Sequence, residues 1–245
     1  MLESAAQAAS ARNGYAAAAV ALTRAADLSI SGTARARRWF GAAQAARLAG
    51  QNDVARHLLE RVSGNGDPSL LAAAAMARGR IEVRAGRLAS ARAVLLDAAS
   101  AAALQDPAAT AALLADAAMA SFLAGDPVQA VHLAWRAGEL PTAPGGNADL
   151  LVKLIVGTAY MHLGQRPEGL RLIREAAQIA ALPPDRRPDM EYVIFTVLGL
   201  VWLGDHGAAR ALAEPIVTEL RARGRWEICR SRCMPPPTLM RGLGG

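Results

Sequence analysis

Six times along the chain a glycine is followed, five residues later, by a small residue. The pairs are Gly14 and Ala19, Gly50 and Ala55, Gly86 and Ala91, Gly125 and Ala130, Gly164 and Gly169, and Gly204 and Ala209. The six turns recur at intervals of roughly 36 to 40 residues, a period of helical-hairpin repeats. Sequence of helical composition flanks each glycine on both sides. A helix commonly ends on a residue of positive φ, which glycine adopts without cost. A small residue one and a half turns later lets two antiparallel helices approach closely. A chain punctuated in this way builds stacked hairpins, each packing only on its neighbours, rather than one central core.

Composition agrees. The chain is rich in Ala, Leu and Arg and poor in aromatic residues, a helix-forming mixture. The expectation is an all-α, right-handed α-solenoid of about six helical hairpins spanning residues 1–224. An irregular, disordered tail is expected over 225–245. Pairs of first and second helices are read as 34–49 with 53–62, 69–85 with 88–104, 108–124 with 127–140, 148–163 with 167–182, and 188–203 with 207–223. Residues 1–13 and 15–27 flank Gly14, and the shortness of the first helix gives the expectation that the sequence starts inside a repeat. The dipeptides Asp67-Pro68 and Asp106-Pro107 open helices, the Asp capping free amides and the Pro taking a position that needs no amide hydrogen. Pro215 falls inside the last helix and predicts a kink.

The formal net charge is +6, but the arginines are scattered through every repeat, which favours a solvated surface over a nucleic-acid face. Cys229 and Cys233, both in the tail, are the only cysteines. That usage suits a reducing cytoplasm and offers no disulfide framework. Glu3 stands where a secretory signal would be positive. The longest apolar run, Tyr192 to Leu203, is too short to span a bilayer, which takes about 20 residues, and reads as a buried helix. No membrane association is expected.

Small residues recur at fixed offsets from the turn glycine: Ala43, Gly79, Ala118 and Gly157 before it, and Ala26, Ala98, Ala137 and Ala176 after it. This is similar to the tetratricopeptide repeat, although Val62, Val197 and Ile216 depart from the pattern. The stretches Ala11-Arg12-Asn13-Gly14-Tyr15, Leu22-Thr23-Arg24-Ala25-Ala26-Asp27, Ala34-Arg35-Ala36-Arg37-Arg38 and Arg78-Gly79-Arg80 resemble a more particular group. They resemble the helical-repeat region of large ATP-binding LuxR-type transcriptional regulators of the maltose-activator kind, over roughly residues 2–223. In that family an ATPase module precedes the region and a helix-turn-helix domain follows it. Neither is legible here: the sole lysine, Lys153, has no glycine-rich loop before it, and the Pro-rich tail holds no helix-turn-helix. The resemblance thus implies the sensor or interaction segment of such a regulator, without direct DNA binding. The alternative is a free-standing scaffold that docks a partner peptide or helix.

No catalytic constellation stands out. His57 and His132 occupy equivalent positions two repeats apart, too distant to share a metal. We expect no enzyme activity, no cofactor and no metal. The better candidate is a surface. In tetratricopeptide-like arrays the first helix of each pair lines a concave groove. Register from the turn glycines brings Phe40, Arg80, Arg84, Met119, Phe122, Met161 and Trp202 to that face. Such a groove fits a protein or peptide partner, or a small effector with an anionic head and an apolar body. The competing expectation is that tight curvature closes the same face into core. Uncapped repeat ends add an expectation of self-association.

Overall fold

The computed structural model describes residues 1–62 and 67–222. They form twelve helices and, among the described residues, no strand. The helices pair as α1 (Leu2–Ala11) with α2 (Tyr15–Asp27), α3 (Gly32–Leu48) with α4 (Asn52–Val62), and α5 (Pro68–Arg84) with α6 (Leu88–Ala102). The later pairs are α7 (Pro107–Leu123) with α8 (Pro127–Gly138), α9 (Asn147–His162) with α10 (Arg166–Ala180), and α11 (Met190–Trp202) with α12 (His206–Ala222). The result is the α-solenoid of six hairpins expected from the turn glycines. The tail with Cys229 and Cys233, and the loop at 63–66, lie outside the described residues.

Five of the six hairpin turns are the same object. Gly50, Gly86, Gly125, Gly164 and Gly204 have φ between 73° and 79°. At each, the amide after the glycine donates back to a carbonyl five residues earlier, as in Gln51 to Ala46, Arg87 to Glu82 and Asp126 to Ser121. This satisfies carbonyls that the helix end would otherwise leave unpaired. The first turn departs by one residue: Asn13 takes the positive φ of 58°, and Gly14 sits at −78°. Asn is among the residues that tolerate this region, so the motif survives with its register shifted.

Asp67, Asp106 and Asp126 each accept a hydrogen bond from the amide three residues on, at 2.9, 2.9 and 3.1 Å, with Pro next in sequence. α12 runs on through Pro215 to Ala222. The residue five after each turn glycine is buried throughout: Ala19, Ala55, Ala91, Ala130, Gly169 and Ala209. The earlier offset is explained too. A Cβ on Gly79 would lie 2.7 Å from Leu95 Cγ, and one on Gly157 would lie 2.9 Å from Ile173 Cγ1. These glycines make room for a large residue from the second helix.

The buried apolar side chains form two cores. One joins α1 to α5, with Trp39, Leu58, Leu59, Val62 and Ile81 among its members. The other runs from α5 to α12 and includes Leu95, Leu113, Leu133, Leu151, Ile173 and Leu200. α5 contributes to both, so it is the wall shared by the two halves of the array.

Candidate functional site on the concave face

The first helices α5, α7, α9 and α11 follow one another along the array, yet α5 and α11 also touch. Three repeats apart in sequence, they meet through charged side chains, so this face curls inward and is the concave one. Arg80 on α5 donates from Nε to Asp116 of α7 at 3.3 Å and from Nη1 to Asp189, at the start of α11, at 2.5 Å. One turn further along α5, Arg84 donates from Nη2 to Glu191 at 2.6 Å. The Tyr192 hydroxyl donates to the other oxygen of Asp116, and the Arg80 guanidinium lies 5.1 Å from the Tyr192 ring centroid. Asn147, at the start of α9, exchanges two hydrogen bonds of 2.9 Å with Asp189. Four first helices are thus clasped by one polar network.

Burial sets the electrostatics of this clasp. The Asp116 side chain is 6% exposed and that of Arg80 26%. Burial pushes the Asp116 carboxyl above its ordinary range, opposed by the Arg80 charge and by the Tyr192 hydroxyl. Burial, then the Asp116 charge, raises the Tyr192 phenol, so it stays a neutral donor. Burial alone would lower Arg80, but Asp116, Tyr192, Asp189 and Glu191 together raise it, so its charge is secure.

Beside the clasp is a small cavity of about 20 Å³, lined by Arg80, Val83, Met119, Glu191, Tyr192 and Phe195 among others. It holds no more than one water-sized body. The face is therefore shut at this level.

It opens beyond it. Residues Glu191, Phe195, Leu198 and Trp202 fall within about 60° of one another around α11, at about 100° per residue. The first two face α5 through the Arg84 ion pair and the cavity wall. The row then continues about 16 Å along α11 from Glu191 to Trp202, at 1.5 Å per residue, while α5 ends at Arg84. Leu198 is 40% exposed and Trp202 70% exposed. The apolar run Tyr192–Leu203 is consequently not a buried helix, as its composition suggests, but one buried on a single side. Tyr192, Val193, Thr196, Gly199 and Leu200 are the inner face.

The residues picked out by register divide accordingly. Arg80, Arg84 and Met119 meet at the clasp, although Met119 is only 5% exposed and belongs to the core beneath it. Phe122 is half-buried against the same core. Met161 is half-buried and lies over Gly169, between α9 and α10: a Cβ on Gly169 would sit 2.9 Å from its Cγ and Sδ. Phe40 packs against the N-terminal core instead. Trp202 projects from α11. Register did not reveal Asp116, Asp189, Glu191 and Tyr192. Asp116 had a signal, because it is a lone carboxylate inside the apolar stretch Ala111–Phe122, and a buried charge demands a partner.

Among the described residues no group of three or more His, Cys, Asp and Glu is placed to hold a metal ion, and no helix is long and apolar enough to cross a membrane. No family model matches the chain, and no curated protein matches it. Solved structures do. Kinesin-light-chain-like repeats of Podosopora anserina, nearly identical to one another, share 19% identity at a TM-score of 0.56, over 74% of this chain and 93% of that one. BtubC from P. vanneervenii shares 18% identity at a TM-score of 0.55, over 96% and 94%. The Rap conjugation gene regulator of plasmid pLS20, solved with its Phr* peptide, shares 16% identity at a TM-score of 0.61, over 91% of this chain and 62% of that one. At such identities the likeness is one of fold, and the fold is that of a tetratricopeptide-like helical solenoid.

Proposed function

We propose that this chain is a non-catalytic scaffold whose concave face docks a peptide or helix of a partner protein. The observation that carries the reading is the apolar row on α11, Leu198 and Trp202, exposed just where the clasp ends. A solvent-facing Trp beside a curved wall is the kind of residue that dominates protein interfaces. The Rap regulator, which resembles this chain in fold, was solved with a peptide, and helices seated in apolar grooves are a recurring recognition mode. At the clasp itself a small effector fits less well, because the cavity there has room for about one water.

The test is site-specific photo-crosslinking in the native host. A photoreactive residue in place of Trp202 or Leu198 is expected to capture a defined partner. The same residue at Arg171 or Arg210, exposed on second helices, is expected not to. Equal capture at all four positions would end the reading. Trp202→Ala should abolish that capture from position 198 while changing stability by less than about 0.5 kcal/mol, as for an exposed surface side chain.

The resemblance of the sequence to the helical region of LuxR-type regulators supports a narrower form of the same reading. In it, the partner-docking array is the interaction segment of such a regulator in the cytoplasm. Reading the DNA on both sides of the coding region, in all frames, tests this. A phosphate-loop ATPase upstream and a helix-turn-helix downstream are expected, and intact unrelated neighbours would leave the free-standing scaffold.

A further inference from the structure

We infer that Arg80 and Arg84 form an acid-reading subsite of the concave face, and that the chain's own Asp189 and Glu191 occupy it in this structure. The inference rests on the docking reading and adds the partner's chemistry: a segment with two carboxylates two residues apart, followed by an aromatic residue. It enters by displacing the start of α11.

Three observations carry it. The first is geometry. Arg80 and Arg84 lie one turn apart on a single face of α5, and each presents a terminal guanidinium nitrogen to a carboxylate, at 2.5 and 2.6 Å. The pairs advance in the same chain sense, Arg80 with Asp189 and Arg84 with Glu191. The subsite therefore already reads the pattern Asp-x-Glu, and the following Tyr192 packs its ring by Arg80. Charge-assisted bonds from a planar guanidinium make such reading selective for carboxylates.

The second is that the two arginines differ in what they owe the fold. Arg80 is committed through Nε to the buried Asp116 and keeps Nη1 for an incoming acid. Among the described residues Arg84 pairs with Glu191 alone, and it is the residue that an external carboxylate can take over whole. The third is position. Asp189 is half-exposed and directly follows the loop Leu182-Pro183-Pro184-Asp185-Arg186-Arg187-Pro188. The occupant is thus the first residue of the last hairpin, next to the longest connection between described repeats in this half of the molecule. Two residues on, Glu191 begins the row that leads to Leu198 and Trp202. Partner acids at the subsite and partner apolar residues on that row are one continuous footprint.

The probe is a fluorescent peptide copying residues 187–196 of the chain, offered in trans to the full-length protein. The double variant Asp189→Asn, Glu191→Gln removes the internal acids without removing bulk. It is expected to bind the peptide at least about tenfold more tightly than the unaltered protein at low salt, and less tightly as salt rises. Adding Arg84→Ala to that variant, or replacing both acids of the peptide by their amides, should remove the gain. Should the double variant fail to fold, as judged by helical circular dichroism, Glu191→Gln alone leaves the Arg80–Asp116–Tyr192 network intact and is expected to show the same gain in smaller measure. No gain in either variant, or a gain indifferent to Arg84 and to the peptide's charges, overturns the inference. Capture of a partner at Trp202 together with such a negative result would sink this subsite alone and leave the docking reading standing. Loss of capture with a positive peptide result would do the reverse.

Discussion

Replacing Arg80 by alanine is expected to destabilise the protein by about 3–5 kcal/mol at pH 7, the range for removing one member of a buried ion pair. The deficit should shrink as the pH falls towards 4. Arg80 is the guanidinium that answers the Asp116 carboxylate. Without it, Asp116 keeps the hydroxyl of Tyr192 but no opposite charge. Its carboxyl is already pushed up by burial with Arg80 in place, and would rise further. The sign of the pH effect follows. Between the ordinary aspartate pKa and the raised native value, the native variant holds a proton that the unfolded chain has released, so stability falls as pH rises through that window. Below it both states are protonated and the part of the penalty that comes from the stranded Asp116 charge is lost. Denaturant titrations of both proteins from pH 4 to pH 8 would show the gap widening, and a gap independent of pH would mean that Asp116 is not the group left stranded. A second variant separates charge from packing. Arg80→Met with Asp116→Leu removes both charges and should recover much of the loss, because the cost lies in the orphaned charge rather than in the missing pair. The double change must be less harmful than the sum of its parts, since the two side chains touch.

The clasp also marks where the sequence stopped being informative. Local chemistry was legible: the turn glycines, the Asp-Pro openings and the small residues at fixed offsets are each decided within a single hairpin. The described helices begin and end within a few residues of those signals. Register alone brings Arg80, Arg84 and Met119 to one side of the first helices, and in the structure the three lie together at the clasp, Met119 within the core beneath it. Their partners were not legible, because Asp189 and Glu191 lie more than a hundred positions away, and only the curvature accumulated over three repeats brings α11 against α5. Small rotations per repeat set that curvature, and no single spacing encodes it. Met161 shows the other limit. Register carries a long flexible side chain to a face, but a glycine on the neighbouring helix offered it a closer seat. The apolar run Tyr192–Leu203 misleads for a related reason: composition reports that a helix is apolar, not how many of its sides find a neighbour.

Gly169 is the position where adding one carbon should do most harm. In five of the six hairpins the residue five after the turn is alanine, and only here is it glycine, so Gly169→Ala restores the common pattern and would raise helix propensity by up to about 1 kcal/mol. We expect the opposite outcome, a net loss of about 1–3 kcal/mol, as for an overpacked core. The new Cβ would stand 2.8 Å from the carbonyl oxygen of Gly157, and the reciprocal Cβ on Gly157 would stand 3.1 Å from that of Gly169. α9 and α10 thus cross with their backbones in contact at a glycine pair. A backbone oxygen cannot rotate away, so shrinking the other neighbour, Met161, should not rescue the variant. Gly79 supplies the contrast. The nearest atoms a Cβ there would meet are side-chain atoms of Leu95, at 2.7 to 2.9 Å, so Gly79→Ala should be partly rescued by Leu95→Val. Gly41 supplies the control, since a Cβ there has only Leu22 Cδ1 within reach, at 3.4 Å. Gly41→Ala, inside α3, should stabilise by about 0.5–1 kcal/mol. Thermal denaturation of the five variants would order them as Gly41→Ala above the unaltered protein, the Gly79 pair a little below it, and both Gly169 variants lowest. If Met161→Ala restores the Gly169 variant, the side chain rather than the crossing backbones sets the spacing of this hairpin.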